Sequence, residues 1–174
     1  TTVRNNLKPL QDYLEFRKEV LGYNDLHFYD LFVPLIKGKS RSYTFEEARD
    51  IVLEAVKPLG EDYRKSMKRA FDERWIDIYP NKGKASGAYA TGVYGVHPYS
   101  LLNFNGTLDD IFTLIHELGH AMHSYYSDST QPYVDSSYSI FTAEVASTVN
   151  ENLLFHYLLD RTEDPEEKIV LLSS

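Results

Sequence analysis

Apolar positions recur along this chain with a helical period in most segments and with no clear period in one. Leu7, Leu10, Tyr13, Leu14, Arg17 and Leu21 fall near helical spacing and predict a helix over 4–21, stopped by Gly22-Tyr23-Asn24-Asp25. Leu26 to Leu35 is aromatic and reads as an extended segment ended by Pro34. Gly38-Lys39-Ser40-Arg41-Ser42 is the clearest loop. Thr44-Phe45-Glu46-Glu47 has the form of a capping box and opens a helix that runs to about Lys57, before Pro58. A further helix is predicted over 61–74, so residues 1–78 read as essentially helical. Tyr79-Pro80-Asn81-Lys82-Gly83-Lys84 is turn chemistry. Residues 85–105, rich in glycine, tyrosine and β-branched residues, predict a small hairpin or short sheet. Two helices then follow within 107–159, joined by a polar loop from Asp128 to Ser137, and Asp164-Pro165-Glu166-Glu167 starts a last helix.

The first helix of that pair carries the chemistry. Thr107 stands before Leu108 with Asp110 three residues on, an N-cap with an acidic first turn. Ile111, Leu114, Ile115, Leu118, Ala121, Met122, Tyr125 and Tyr126 share one side of the helical wheel. Phe112, His116, Glu117, His120 and His123 share the other. His116-Glu117-Leu118-Gly119-His120 is therefore an H-E-x-x-H motif on the front of a helix whose back is core. Histidines at i and i+4 sit one turn apart on one face, so both can hold one zinc ion, with Glu117 beside the open position as general base. Gly119 costs about 1 kcal/mol against alanine inside a helix, which predicts a close neighbour there. The competing reading is a surface helix with two coincidental histidines.

With no cysteine in the chain, the third ligand is His or a carboxylate. Glu144, Thr148, Glu151 and Phe155 form one stripe of an otherwise apolar helix, and carboxylates in such a helix need a partner. Glu144 is the ligand candidate. Glu151 is assigned to accept a proton from a ligand imidazole; a solvated helix charge is the alternative. His123 is placed beside the centre or on a cleft wall, since a fourth protein ligand would close the site; a half-solvated structural histidine is the alternative. Gly87, Ala88 and Tyr89 are candidates for a sheet edge on which a peptide lies as an added strand, against glycines that only permit turns. Tyr94, His97 and Tyr99 are further cleft candidates, while His27 and His156 read as structural or surface groups.

These segments resemble the M3 family of metallopeptidases, and within it the oligoendopeptidase F group. The resemblance rests on Gly119 within the motif, Ala121-Met122-His123 after it and Glu144-Val145-Ala146-Ser147-Thr148 downstream. It extends upstream to Gly92-Val93-Tyr94-Gly95-Val96-His97-Pro98-Tyr99, Leu101-Leu102-Asn103-Phe104-Asn105 and Phe28-Tyr29-Asp30-Leu31-Phe32-Val33-Pro34-Leu35. It implies a mostly α fold with a small sheet (α+β), a zincin-like metallopeptidase core, one Zn2+ per chain and hydrolysis of internal bonds in short peptides. Family members are several-fold longer, and their C-terminal part supplies a histidine and tyrosines that steady the oxyanion. Nothing here matches that part. The chain is accordingly expected to be a single catalytic-core fragment over 1–174. Its layout would be helical 1–78, sheet 85–105, metal helices 107–159 and a truncated helix from 165.

Composition adjusts this picture only slightly. Hydrophobic content of 43% argues against disorder. A formal charge of −8 disfavours a nucleic-acid partner, because phosphate binding needs clustered Lys and Arg. No apolar run reaches membrane length, and the resemblance implies a cytoplasmic enzyme acting on oligopeptides. Alternatives are a silent zinc-binding fragment that self-associates or pairs with the rest of its parent chain, and a zinc carboxypeptidase. The last would need a cationic group to grip the terminal carboxylate, and no Arg or Lys stands near the motif.

Overall fold

The computed structural model describes residues 2–36 and 41–173. In chain order these form α1 (Thr2–Asn5), α2 (Lys8–Leu21), α3 (Phe45–Ala55), α4 (Glu61–Asp72), β1 (Ile76–Asp77), β2 (Tyr89–Thr91), β3 (Tyr99–Leu101), α5 (Leu108–Thr130), α6 (Ile140–Leu159) and α7 (Pro165–Ser173). The fold is mostly helical with a small three-stranded sheet, as the sequence pattern implies. The chain divides into two compact units, one made of Thr1–Lys39 with Thr162–Ser174 and the other of Ser40–Arg161. Of the loop expected at Gly38-Lys39-Ser40-Arg41-Ser42, residues 38–40 lie outside the described residues.

The first unit departs from expectation twice. Instead of one helix over 4–21, the chain breaks between α1 and α2. Pro9 has no N–H for a bond to the carbonyl four residues back, so it belongs in the first turn of a new helix. Gly22 then ends α2 in a left-handed conformation, φ 71°, that glycine adopts without a Cβ penalty. The segment read as extended instead contains a 3₁₀ helix over Phe28–Phe32. Asp30 folds back so that its carboxylate accepts from the His27 N–H (2.8 Å), a local bond that competes with extended backbone. Buried Arg17 donates to the carbonyls of Leu31 (2.9 Å) and Val33 (2.6 Å), so the aromatic turn is held by a guanidinium.

In the second unit, α3 begins with the predicted reciprocal cap. Thr44 N–H donates to Glu47 (2.8 Å), and Glu47 N–H donates to Thr44 Oγ1 (3.1 Å). Helix α4 ends before 74, and Arg74 takes a left-handed φ of 61° that turns the chain into β1. Residues 76–77 are thus a strand inside a stretch read as helical. Burying Trp75 at this turn is what diverts the chain, and its N–H returns to the Ala70 carbonyl (3.0 Å). The sheet order is β1-β3-β2, with β1 parallel and β2 antiparallel to β3. The expected hairpin is its β2–β3 half.

Helix α5 opens with the Thr107/Asp110 box, Thr107 N–H donating to Asp110 (2.8 Å). Its predicted apolar side is the core: Ile111, Leu114, Ile115, Leu118, Ala121 and Met122 are all buried. They pack with Val52, Val56, Met67, Trp75, Leu102, Phe104 and Leu154. The helix continues past Asp128 to Thr130, where the loop was expected to have begun. Ser129 and Thr130 hydroxyls both bond the Tyr126 carbonyl (3.0 and 2.7 Å), prolonging the last turn. Helix α6 starts at the Ser139 cap and lays Ala143, Ser147, Asn150 and Leu154 inward. Gly119 is where the two helices touch. A Cβ there would lie 2.7 Å from Ser147 Cα and 3.0 Å from the Ala146 carbonyl oxygen, so only glycine lets the backbones meet. Among the described residues, no helix is long and apolar enough to cross a membrane.

Candidate metal centre

The close approach at Gly119 brings the front of α5 against α6, and three potential ligands converge there. The two Nε2 atoms of His116 and His120 are 3.0 Å apart. Glu144 Oε2 lies 3.6 Å from the first and 3.7 Å from the second. Tetrahedral ligands at ~2.0–2.2 Å from a zinc ion lie about 3.3 Å from one another, so this triangle has the right size for one ion. The donor set fits too: two imidazoles and a carboxylate suit a first-row divalent metal.

The supports of these ligands come from α6. Glu151 Oε1 contacts His116 Nδ1, which leaves Nε2 facing Glu144 and His120. Ser147 Oγ donates to Glu144 Oε2 (2.8 Å) and to its carbonyl (3.1 Å), fixing the carboxylate rotamer. Burial pushes His120 below its ordinary value, with the neighbouring His116 acting the same way and Glu144 opposing. The shift favours the neutral imidazole, the state that offers a lone pair to a metal.

Glu117 is not part of the triangle. Its side chain is buried, 7% exposed, and burial raises its carboxyl above the usual range. His116 and the Ala90 backbone pull it back down, and Glu144 adds to the rise. A buried carboxylate perturbed in this way beside three potential metal ligands is a candidate proton acceptor.

The family model for peptidase family M3 matches residues 1–174. The chain belongs to peptidase family M3. It is 46% identical over 172 residues to oligopeptidase PepF of Bacillus subtilis, covering 99% of this chain and 26% of that protein. It is 44% identical to group B oligopeptidase PepB of Streptococcus agalactiae, covering 99% of this chain and 28% of the relative. A solved structure from Chlamydophila abortus, described as a candidate peptidase, superposes with a TM-score of 0.86 at 42% identity, covering 99% of this chain and 29% of that one. The chain therefore spans about a quarter of the length of the M3 relatives it matches.

Other residues singled out from the sequence of this M3 chain are distributed unevenly. His123 is half-buried one turn beyond His120; its ring stacks on Tyr138 (3.7 Å) and burial lowers its pKa. Tyr94 donates to the Gln131 carbonyl (2.9 Å) just past the C-terminal end of α5, about four turns from His116. His97 stacks flat on buried Trp75 (4.9 Å) and packs against Tyr99 (4.5 Å). None of these described contacts of Tyr94, His97 and Tyr99 involves the three ligands. Gly87 has a φ of 84°, and its carbonyl accepts from Asn103 (2.8 Å). Ala88 packs on the core, while Tyr89 begins the edge strand β2 and is half exposed.

Three participants have no counterpart in the sequence reading. Ser147 was visible only as the residue three after Glu144, the spacing that puts it on the same helix face. Tyr138 stands just after the loop read over Asp128 to Ser137 and carried no signal of its own. Asn150, 1% exposed, had no signal beyond being polar in an apolar helix.

Proposed function

We propose that this chain carries the catalytic centre of a zinc-dependent endopeptidase that cuts internal bonds of short peptides. One observation carries the reading: His116, His120 and Glu144 converge on one point with the buried carboxylate of Glu117 beside it. These residues would hold a single zinc ion. When bound, such an ion supplies a Lewis acid that polarises the scissile carbonyl and makes a coordinated water more acidic.

The remaining steps belong to the chain. Glu117 takes one proton from the attacking water and passes it to the departing amine nitrogen, so the carboxylate ends as it began. Glu151 holds His116 in the tautomer that keeps Nε2 free. The substrate backbone lies along β2. Ser100 directs its N–H to Trp75 (2.8 Å) and Leu102 to Asp77 (2.8 Å), both toward β1, so the Ala90–Ser100 pair exchanges no bonds. The backbone of Ala90 therefore faces away from β3, on the side where an added strand would pair. Tyr89 is part of this edge, whereas Gly87 and Ala88 set the turn that leads into it. Oligopeptides are the proposed substrates, after the names of the M3 relatives, and the absence of cysteine accords with a cytoplasmic site of action.

The test is hydrolysis of an internally quenched oligopeptide by zinc-loaded protein beside Glu117→Gln. Cleavage at an internal bond is expected, falling by about 10²–10⁴-fold in the variant with one zinc still bound per chain. Undiminished cleavage by the variant would overturn the role of Glu117. Bound zinc without cleavage by either protein would reduce the reading to that of a metal-binding core.

A further inference from the structure

Helix α6 presents apolar residues in every direction. Ala143 and Leu154 are buried, while Ile140, Phe141, Val145 and Val149 are exposed on other sides. Burial of apolar surface alone therefore does not dictate which side of α6 meets α5, nor how far it slides along it. Polar groups that pair at one setting only can make that choice, as buried polar residues do in coiled coils.

The contacts between the two helices run in antiparallel register. Glu144 reaches His116 and His120, Ser147 meets Gly119, and Glu151 meets His116. Asn150 extends this row by one step, its Nδ2 approaching the carbonyl of Ile115 at 3.5 Å. The same amide is engaged from α4. Tyr63 donates to Asn150 Oδ1 (3.2 Å) and accepts from Nδ2 (2.9 Å). Tyr63 is itself stacked on Tyr126 of α5 (6.1 Å, 16°), whose hydroxyl donates to Ser66 of α4 (3.1 Å). One buried amide thus meets groups from α4 and α5, one residue before Glu151, and the carbonyl it meets is one residue before His116.

We infer that Asn150 and Tyr63 are positioning residues for the metal centre: their amide–phenol pair selects the rotation and slide of α6 at which Glu144 and Glu151 reach the histidines. A one-residue slide along a helix is 1.5 Å, enough to take Glu144 out of ligand range. The pair touches neither the ligand atoms nor substrate, so it acts through α6. This rests on the zinc-centre reading above, and the experiment separates the two.

The full chain is titrated with Zn2+ in competition with a chromophoric chelator, and its Co2+ absorption spectrum is recorded, for wild type, Asn150→Leu and Tyr63→Phe. Leucine keeps the γ-branched outline of asparagine with somewhat greater bulk and removes its bonds; Tyr63→Phe removes one hydroxyl and is the milder change if Asn150→Leu does not fold. Thermal melts of the metal-free proteins establish that the variants fold. The expected result is a folded Asn150→Leu protein with about tenfold weaker zinc binding and an altered Co2+ spectrum, and a smaller change of the same kind in Tyr63→Phe. Wild-type affinity and spectrum in the folded variants, with only the melting temperature lowered, would overturn the inference and leave the pair a structural brace. Wild type that binds no zinc would overturn the metal reading itself.

Discussion

Helices α5 and α6 lie against each other yet are written in opposite styles. Helix α5 is amphipathic in the usual sense, with Leu114, Ile115 and Leu118 buried behind and His116, His120 and His123 in front. Helix α6 turns Glu144, Ser147, Asn150 and Glu151 toward α5 and leaves Phe141 81% and Ile140 74% exposed. The first is placed by hydrophobic burial, and the second by polar pairs at a few positions. The candidate metal centre shared between them joins a rigidly packed wall to one whose setting depends on individual bonds.

This contrast can be broken residue by residue. Removing a ligand from either wall has the largest effect: His116→Ala and Glu144→Ala should each abolish stoichiometric zinc binding, measured by metal analysis after dialysis. If Glu144→Ala retained zinc at wild-type affinity, the two-wall description would fail. Next is the contact itself. In Gly119→Ala the new methyl meets backbone, which cannot swing aside, so a loss of about 3 kcal/mol in the metal-free protein is expected from denaturant melts. Smaller again is Glu151→Gln, which weakens the hold on His116 and should lower zinc affinity by about tenfold without moving the metal-free melting temperature. The smallest effect concerns Tyr63. Burial pushes its phenol up to about 12 from 10.0, with Asn150 acting to lower it and Tyr126 to raise it. The folded state thus holds the proton more tightly than the unfolded one. Its stabilising contribution is complete below pH 10 and is lost as pH climbs toward 12. Tyr63→Phe should flatten that alkaline decline in a pH series of melts.

The same contrast explains what the sequence made legible. The wall on α5 was readable because its stripe, its Thr107 cap and its H-E-x-x-H spacing agree, and because Gly119 is costly enough in a helix to demand a neighbour. On α6 the carboxylates Glu144 and Glu151 stood out against an apolar background, but that background has no period, so Asn150 could not be assigned a face. Strand β1 was missed because two residues carry no alternation, and its signal is tertiary: a left-handed Arg74 that exists because Trp75 is buried. The 3₁₀ helix at Phe28–Phe32 was missed because Asp30 and Arg17 bond its backbone from positions that periodicity does not weigh. Tyr94, His97 and Tyr99 look close to the motif in sequence, and their described contacts are with Gln131, Trp75 and one another.

The meeting of backbones at Gly119 has a mechanical side. Hydrostatic pressure acts on proteins chiefly through the voids it can eliminate, and a crossing without room for a methyl group offers none. The spacing of the histidines from the opposite helix is then set by a nearly incompressible stop, while looser parts of the molecule absorb the squeeze.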